Sequence, residues 1–293
     1  MAGEKVMKGQ ILDFAVQMKK LVNNKEHSDI KFLIGPNRKP IYAHRAILSA
    51  RCAVFKAMFA DQAQRGSSGD RDVPFVLSDM SPDVFLAMLE FLYTNCVTLT
   101  PKIAIDILAT SLEYGLDELR RLSSEYLVEN LSVQNAPECL QAAVTYGQDE
   151  LREHTIVFID EHTENVFKSK GFQELSEDAM IELLGSDGLQ MDELDIFNFV
   201  KDWATVNAVV LNKSVSEVAR KVIPRVRFAL LASSELEDLE KENKKDKQES
   251  IVPVECFNNA WKFHATKKCE ADNPLQRKRA GTMNREHHSF LGH

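Results

Sequence analysis

The sequence predicts an α+β domain of about 130 residues, helices around a small mixed sheet, followed by an all-α domain of helical pairs. Three observations predict it. Strand and helix patterns alternate as far as Asn130, strand signals nearly vanish after it, and 293 residues suit two domains at roughly 150 each.

Ile11, Phe14, Ala15, Met18, Leu21 and Val22 follow helical spacing, which puts one apolar stripe on a helix over 11–22. Asp29–Ile34 and Lys39–Ala43 are β-rich and flank Gly35-Pro36-Asn37, so a hairpin is expected. A helix is expected over His44–Phe59, then a Gly66-Ser67-Ser68-Gly69 loop and a short strand at Pro74–Leu77. Ser81-Pro82 and Thr100-Pro101 each offer a capping hydroxyl followed by a proline that needs no amide partner, which predicts two helix starts. Tyr114-Gly115 separates the second of these from a helix over Leu116–Asn130.

Beyond Asn130 the expected helices are Pro137–Tyr146, Leu151–Thr163, Phe167–Leu175, Glu177–Leu184, Glu193–Asn207 and Val215–Val222, continuing through Val226–Leu231 and Ser234–Leu239. A charged stretch reaches Ser250, Val254–Ala265 is a last helix, and 266–293 is expected as a basic polar tail. No period of 20–50 residues repeats.

The formal net charge of −8 is uneven. From Lys262 onward seven basic residues stand against three acidic ones, a local +4 that leaves −12 for the rest. So acidic a body repels phosphates, and no nucleic-acid partner is expected. No apolar run approaches the roughly 18 residues needed to span a bilayer, and Met1-Ala2-Gly3-Glu4-Lys5 lacks the apolar core of a secretory signal, so no membrane partner is expected either. Five scattered cysteines without a C-x-x-C pattern read as unpaired thiols in a reducing compartment. The expected location is the cytoplasm, with the nucleus as the alternative through Arg277-Lys278-Arg279, a run more simply read as part of a solvated tail.

Catalytic chemistry finds no foothold. The phosphate-loop, dinucleotide, nucleophile-elbow and H-E-x-x-H patterns are missing from the sequence. Glu153-His154 and Glu161-His162 diverge by about 100° on a helix and find no partner three or four residues away. His264, Cys269, His287 and His288 match no zinc-ligand spacing. No catalytic residue, metal or cofactor is assigned.

The residues themselves carry a family likeness. His27-Ser28-Asp29-Ile30, Tyr42-Ala43-His44-Arg45-Ala46-Ile47-Leu48, Phe55-x-x-Met58-Phe59 and Leu89-Glu90-Phe91-Leu92-Tyr93-Thr94 resemble a BTB/POZ domain over about residues 10–130. Phe158-Ile159, Phe172-x-x-Leu175, Leu183-Leu184-x-Ser186-Asp187-x-Leu189, Phe197-x-x-Val200-x-x-Trp203 and Val226-Arg227-Phe228-x-Leu230-Leu231 resemble the BACK domain that often follows it. Trp261-Lys262-Phe263-His264-Ala265 and Gly281-Thr282-x-x-Arg285-Glu286-His287-His288 resemble the segment that closes BACK in Kelch-type proteins. The resemblance divides the chain into a BTB/POZ dimerisation domain at 1–130, a BACK helical domain at 131–265 and the tail at 266–293.

The resemblance implies a non-enzymatic protein-interaction adaptor. It implies a homodimer in which Ile11, Phe14, Ala15, Met18 and Leu21 pack on a second copy; a lone amphipathic helix needs such a surface. It places Asp29 and Arg45 at a charged pair near the dimer groove. It also implies recruitment of cullin-3 into a ubiquitin ligase, with an unknown substrate or partner protein held elsewhere. The family's apolar-x-Glu contact falls by count on Ala63, Gln64 and Arg65, a methyl group and a cation where an anchor and an acid belong. That departure supports the alternative: a dimeric scaffold or transcriptional co-regulator that uses the BTB groove for partner peptides and no cullin.

Overall fold

The computed structural model describes residues 10–65, 73–245, 250–267 and 273–290. The chain divides after Asn130 into two compact units, Met1–Asn130 and Leu131–His293.

The first unit opens with α1 (Ile11–Lys19), and a tight turn with Leu21 N bonded to Met18 O and Val22 N to Lys19 O ends the helix earlier than the stripe suggests. Strands β1 (Ile30–Ile34) and β2 (Lys39–Ala43) form the expected antiparallel hairpin, closed by the Gly35–Arg38 turn with Gly35 at φ +72°. Such a φ carries no steric cost for glycine. Ile30, Phe32 and Ile34 point inward from β1 while Lys31 points out, the alternation of a sheet with one covered face.

The helix expected over 44–59 is two helices, α2 (Arg45–Arg51) and α3 (Ala53–Arg65). Cys52 between them is extended (φ −143°, ψ 120°), its buried Sγ directed at Tyr114 O at 3.4 Å. Apolar spacing runs on through the break, which conceals it in the sequence. The Gly66–Gly69 loop lies outside the described residues. Strand β3 (Phe75–Leu77) pairs parallel with β1, so the described sheet runs β2-β1-β3 and is mixed.

Helix α4 (Pro82–Thr94) is apolar almost all round and fills the middle of this unit. Ser81 Oγ accepts from Val84 N at its start, as its sequence predicts. The second expected start moves. Pro101–Ile103 form a turn on Thr100 O, and α5 runs Ala104–Glu113 with no side-chain cap. Helix α6 (Asp117–Glu129) completes the unit. Phe32, Phe55 and Phe85 meet at its centre, with Phe32–Phe85 centroids 5.0 Å apart.

The second unit is helical: α7 (Ala136–Thr145), α8 (Asp149–Glu161), α9 (Thr163–Phe167), α10 (Lys170–Gln173), α11 (Glu177–Gly185), α12 (Glu193–Leu211), α13 (Val215–Ala219), α14 (Ser233–Lys245) and α15 (Val254–Thr266). Val226–Leu231 is no α-helix; it carries a 3₁₀ turn at Phe228–Leu230. Trp203, Phe172, Leu183 and Val200 lie in the core of this unit, and Trp203 Nε1 donates to Leu175 O at 2.9 Å. Among the described residues, no helix is long and apolar enough to cross a membrane.

The described part of the expected tail, 273–290, is folded. Ala280 N bonds to Asp187 O and Gly281 N to Leu189 O, and Arg279 and His288 are buried. Composition marks this stretch as solvated, but Arg277, Arg279 and Arg285 each meet a carboxylate of the helical unit, while Lys278 stays exposed and bonds Asn284 within the segment.

Candidate interaction surfaces

In the first unit, α1 lies against α4. Ala15 is buried, Met18 and Leu21 pack on the unit's own core, and Lys19 Nζ pairs with Glu90 Oε1 at 2.6 Å. Phe14 stays outside this contact at 62% exposure, along with Leu12 at 76% and Val16 at 59%. The stripe is therefore split: Ala15, Met18 and Leu21 face their own core, Phe14 faces solvent, and Ile11 is the first residue of the helix.

Asp29 and Arg45 do meet, through the main chain. Arg45 N donates to Asp29 Oδ1 at 2.7 Å, which supplies α2 with the cap that His44 does not give. The Arg45 guanidinium donates to Gln62 Oε1 at 2.7 Å and lies 4.8 Å from the Phe59 ring centroid. Asp29 is exposed, so a cost based on stranding a buried charge does not apply to it.

Ala63, Gln64 and Arg65 form the final turn of α3 instead of a loop, with Ala63 and Gln64 exposed. Elsewhere in this unit, a hollow of about 400 Å³ is lined by β3 and α5 and carries Asp79, Asp106 and Glu113.

The second unit holds a network of buried charges. Arg279 Nε meets Glu193 Oε1 at 2.5 Å, with both side chains sealed from solvent. Its other nitrogens donate to Leu184 O (2.8 Å), Arg225 O (3.4 Å) and Ser186 O. The carbonyls at the end of α11 and the carboxylate in the first turn of α12 thus make a receptor of the sign that helix dipoles favour. Arg227 N donates to the second Glu193 oxygen at 2.9 Å, and its guanidinium reaches Asp187 Oδ1 and Arg277 O. Arg285 grips two carboxylates, Asp192 at 2.7 and 2.9 Å and Glu235 at 2.9 and 3.0 Å.

Burial alone would raise the Asp187 and Asp192 carboxyls. Hydrogen bonds from Arg227 and Arg277 hold the first below the usual range, and Arg285 with the Met283 amide holds the second there. Asp160 goes the other way, raised by burial despite the 2.7 Å bond from Ser186 Oγ. Gly281 passes so close to Met191 that a Cβ there would overlap its backbone nitrogen. One signal for this network was present in the sequence: Arg227 interrupts the apolar run Val226–Leu231, and an arginine enters a core only with partners.

Among the described residues, no group of three or more histidine, cysteine or acidic side chains is placed to hold a metal ion. Cys269 lies outside those residues. Cys52, Cys96, Cys139 and Cys256 are free thiols, and burial pushes the Cys139 thiol up to about 12, a poor nucleophile.

Comparison with known proteins agrees with both units. The BTB/POZ domain family model matches residues 18–131, and the BTB And C-terminal Kelch (BACK) model matches 136–241. The chain is 40% identical over 288 residues to BTB/POZ domain-containing protein 19 of Bos taurus, covering 98% of this chain and 96% of that protein. Its Homo sapiens counterpart is 40% identical over 287 residues with the same coverages. BTB/POZ domain-containing protein 9 of Bos taurus is 30% identical over 219 residues, covering 74% of this chain and 34% of that protein.

Proposed function

Because the chain belongs to the family that joins a BTB/POZ domain to a BACK domain, we propose that it is a non-enzymatic adaptor that homodimerises through its first unit and presents partner proteins to a cullin-3 ubiquitin ligase. The observation that carries the dimer is the apolar surface of α1. Leu12 and Val16 share one flank of α1 and Phe14 lies on the other, all more than half exposed, and burying even one such side chain contributes about 1.5–3 kcal/mol. A second copy of the same helix and its neighbours is the surface that covers them. The experiment is light scattering on the purified chain. A mass of twice 33.2 kDa supports the proposal, and 33.2 kDa at micromolar concentration rejects it.

A second reading, a scaffold independent of cullin, is favoured by Ala63-Gln64-Arg65. A lost apolar anchor and a reversed charge weaken a contact by roughly a hundred-fold or more at 1.4 kcal/mol per decade. Pull-down of cullin-3 by the native chain and by Arg65→Glu separates the two. Capture by the native chain supports the ligase adaptor; capture by neither supports the scaffold. In both readings the protein works in the cytoplasm or nucleus through protein surfaces, with no cofactor.

A further inference from the structure

Three imidazoles cluster around the Glu286–Phe290 turn, one pair tilted and the other edge-on. The His264 and His287 ring centroids are 4.1 Å apart, and those of His287 and His288 are 4.5 Å apart. His287 Nε2 meets Ala229 O at 3.1 Å and His288 Nε2 meets Leu230 O at 2.8 Å. A carbonyl only accepts, so each of these nitrogens carries the proton. On the other side of the His288 ring, Nδ1 accepts from Arg285 N at 3.2 Å. Both nitrogens of His288 are committed, one as donor and one as acceptor, and the residue is buried. A second proton on Nδ1 would face the Arg285 N–H directly. The cation cannot form while the segment is seated.

The surroundings give no compensation. From α15 comes His264, from the start of α14 come Ser233 and Glu235, and from the cap before α12 comes Asp192. The folded segment itself adds Lys278 and Arg285, and 229–230 offers carbonyls. Glu235 and Asp192 are already taken by Arg285, so any added proton meets a balanced site and a crowd of rings. Burial, followed by repulsion from neighbouring imidazoles or cations, keeps all three histidines below their ordinary range.

We propose that Glu286–Phe290 is a proton-sensitive clasp: neutral His287 and His288 hold it on the Ala229–Leu230 segment, and acidification lifts it off, baring the apolar cluster of Ala229, Leu230 and Phe263. This inference does not depend on the adaptor reading. The sign follows from proton linkage. The closed form excludes protons that the open form accepts near its free value of about 6.5, so closure is fully present above that pH and lost as pH falls through it. Between pH 7.5 and 5.5 a histidine whose two ring nitrogens are both committed, as those of His288 are, favours opening by about tenfold.

Hydrogen exchange of the full-length chain, corrected for intrinsic rates, tests it. Peptides covering 279–288 lose at least tenfold protection from pH 7.5 to 5.5, while β1 peptides of the first unit keep theirs. His288→Gln retains a donor to Leu230 O without a titrating ring, and reduces that pH dependence by about tenfold. Unchanged protection of the native segment across this range overturns the proposal. If His288→Gln is already open at pH 7.5, nitrogen NMR of the native chain decides. A His288 ring that keeps its Nε2–H form for as long as the segment is closed, and charges only together with the loss of protection, supports the clasp; a ring that charges near 6.5 in a closed segment overturns it.

Discussion

Arg279 Nε sits 2.5 Å from Glu193 Oε1, and neither side chain is touched by solvent, although 86 positions separate them. The pair joins the C-terminal segment to the first turn of α12, and its remaining donors are used on carbonyls. A pair so placed holds two chain segments in one arrangement more than it adds net stability, because desolvation of both ions opposes their attraction.

Glu193→Gln leaves the Arg279 guanidinium without its counter-ion in a sealed site. Urea denaturation of the full chain is expected to show a loss of about 3–5 kcal/mol in the second unit. Arg279→Met combined with Glu193→Gln should cost clearly less than the sum of the two single changes, as a double-mutant cycle reads directly.

Gly281→Ala sets a methyl group against the Met191 backbone nitrogen, and both sides of that contact are main chain. The segment must shift away from 187–191, breaking the Gly281 N to Leu189 O bond. Hydrogen exchange at 279–285 should accelerate by at least tenfold, with the first unit unaffected.

Asp29→Ala removes the cap on the first amide of α2, a loss of about 1 kcal/mol by denaturant midpoint. The chain stays folded. A loss of several kcal/mol would instead indicate a buried ion pair.

Phe14→Glu alters a side chain that makes little contact with its own unit. The melting of that unit should hardly change, while the dissociation constant of the proposed dimer rises by a hundred-fold or more, as sedimentation at graded concentration measures.

Acid acts on the second unit through Asp187 and Asp192. Their carboxyls are lowered in the fold, so their stabilisation is full above the free value near 3.9 and is lost as pH falls through the folded values below it. Asp160 has the opposite sign: its carboxyl is raised, so its ionised form opposes folding once pH passes that raised value. Asp160→Asn is therefore expected to leave stability at pH 7 unchanged or higher, with thermal melts at pH 4 and pH 7 as the check.

What the linear chain settled was whatever depends on neighbours a few residues apart. The Gly35-Pro36-Asn37 turn, the Ser81-Pro82 start and the helix expected over Glu193–Asn207 are short-range facts, and the family motifs fixed the order of the two units. Tertiary structure decided where local pattern is silent or shared. Cys52 breaks a helix whose apolar spacing continues across it. Thr100 looks like Ser81, yet the helix begins at Ala104. Of Arg277-Lys278-Arg279, identical in charge, only Arg279 is buried, and the stripe of α1 is divided between core and solvent. The reason is one of range. Periodicity reports which face of an element is apolar, whereas a buried cation needs a particular set of carbonyls and carboxylates, and those are assembled from α11, α12 and the 225–227 segment only once the chain has folded.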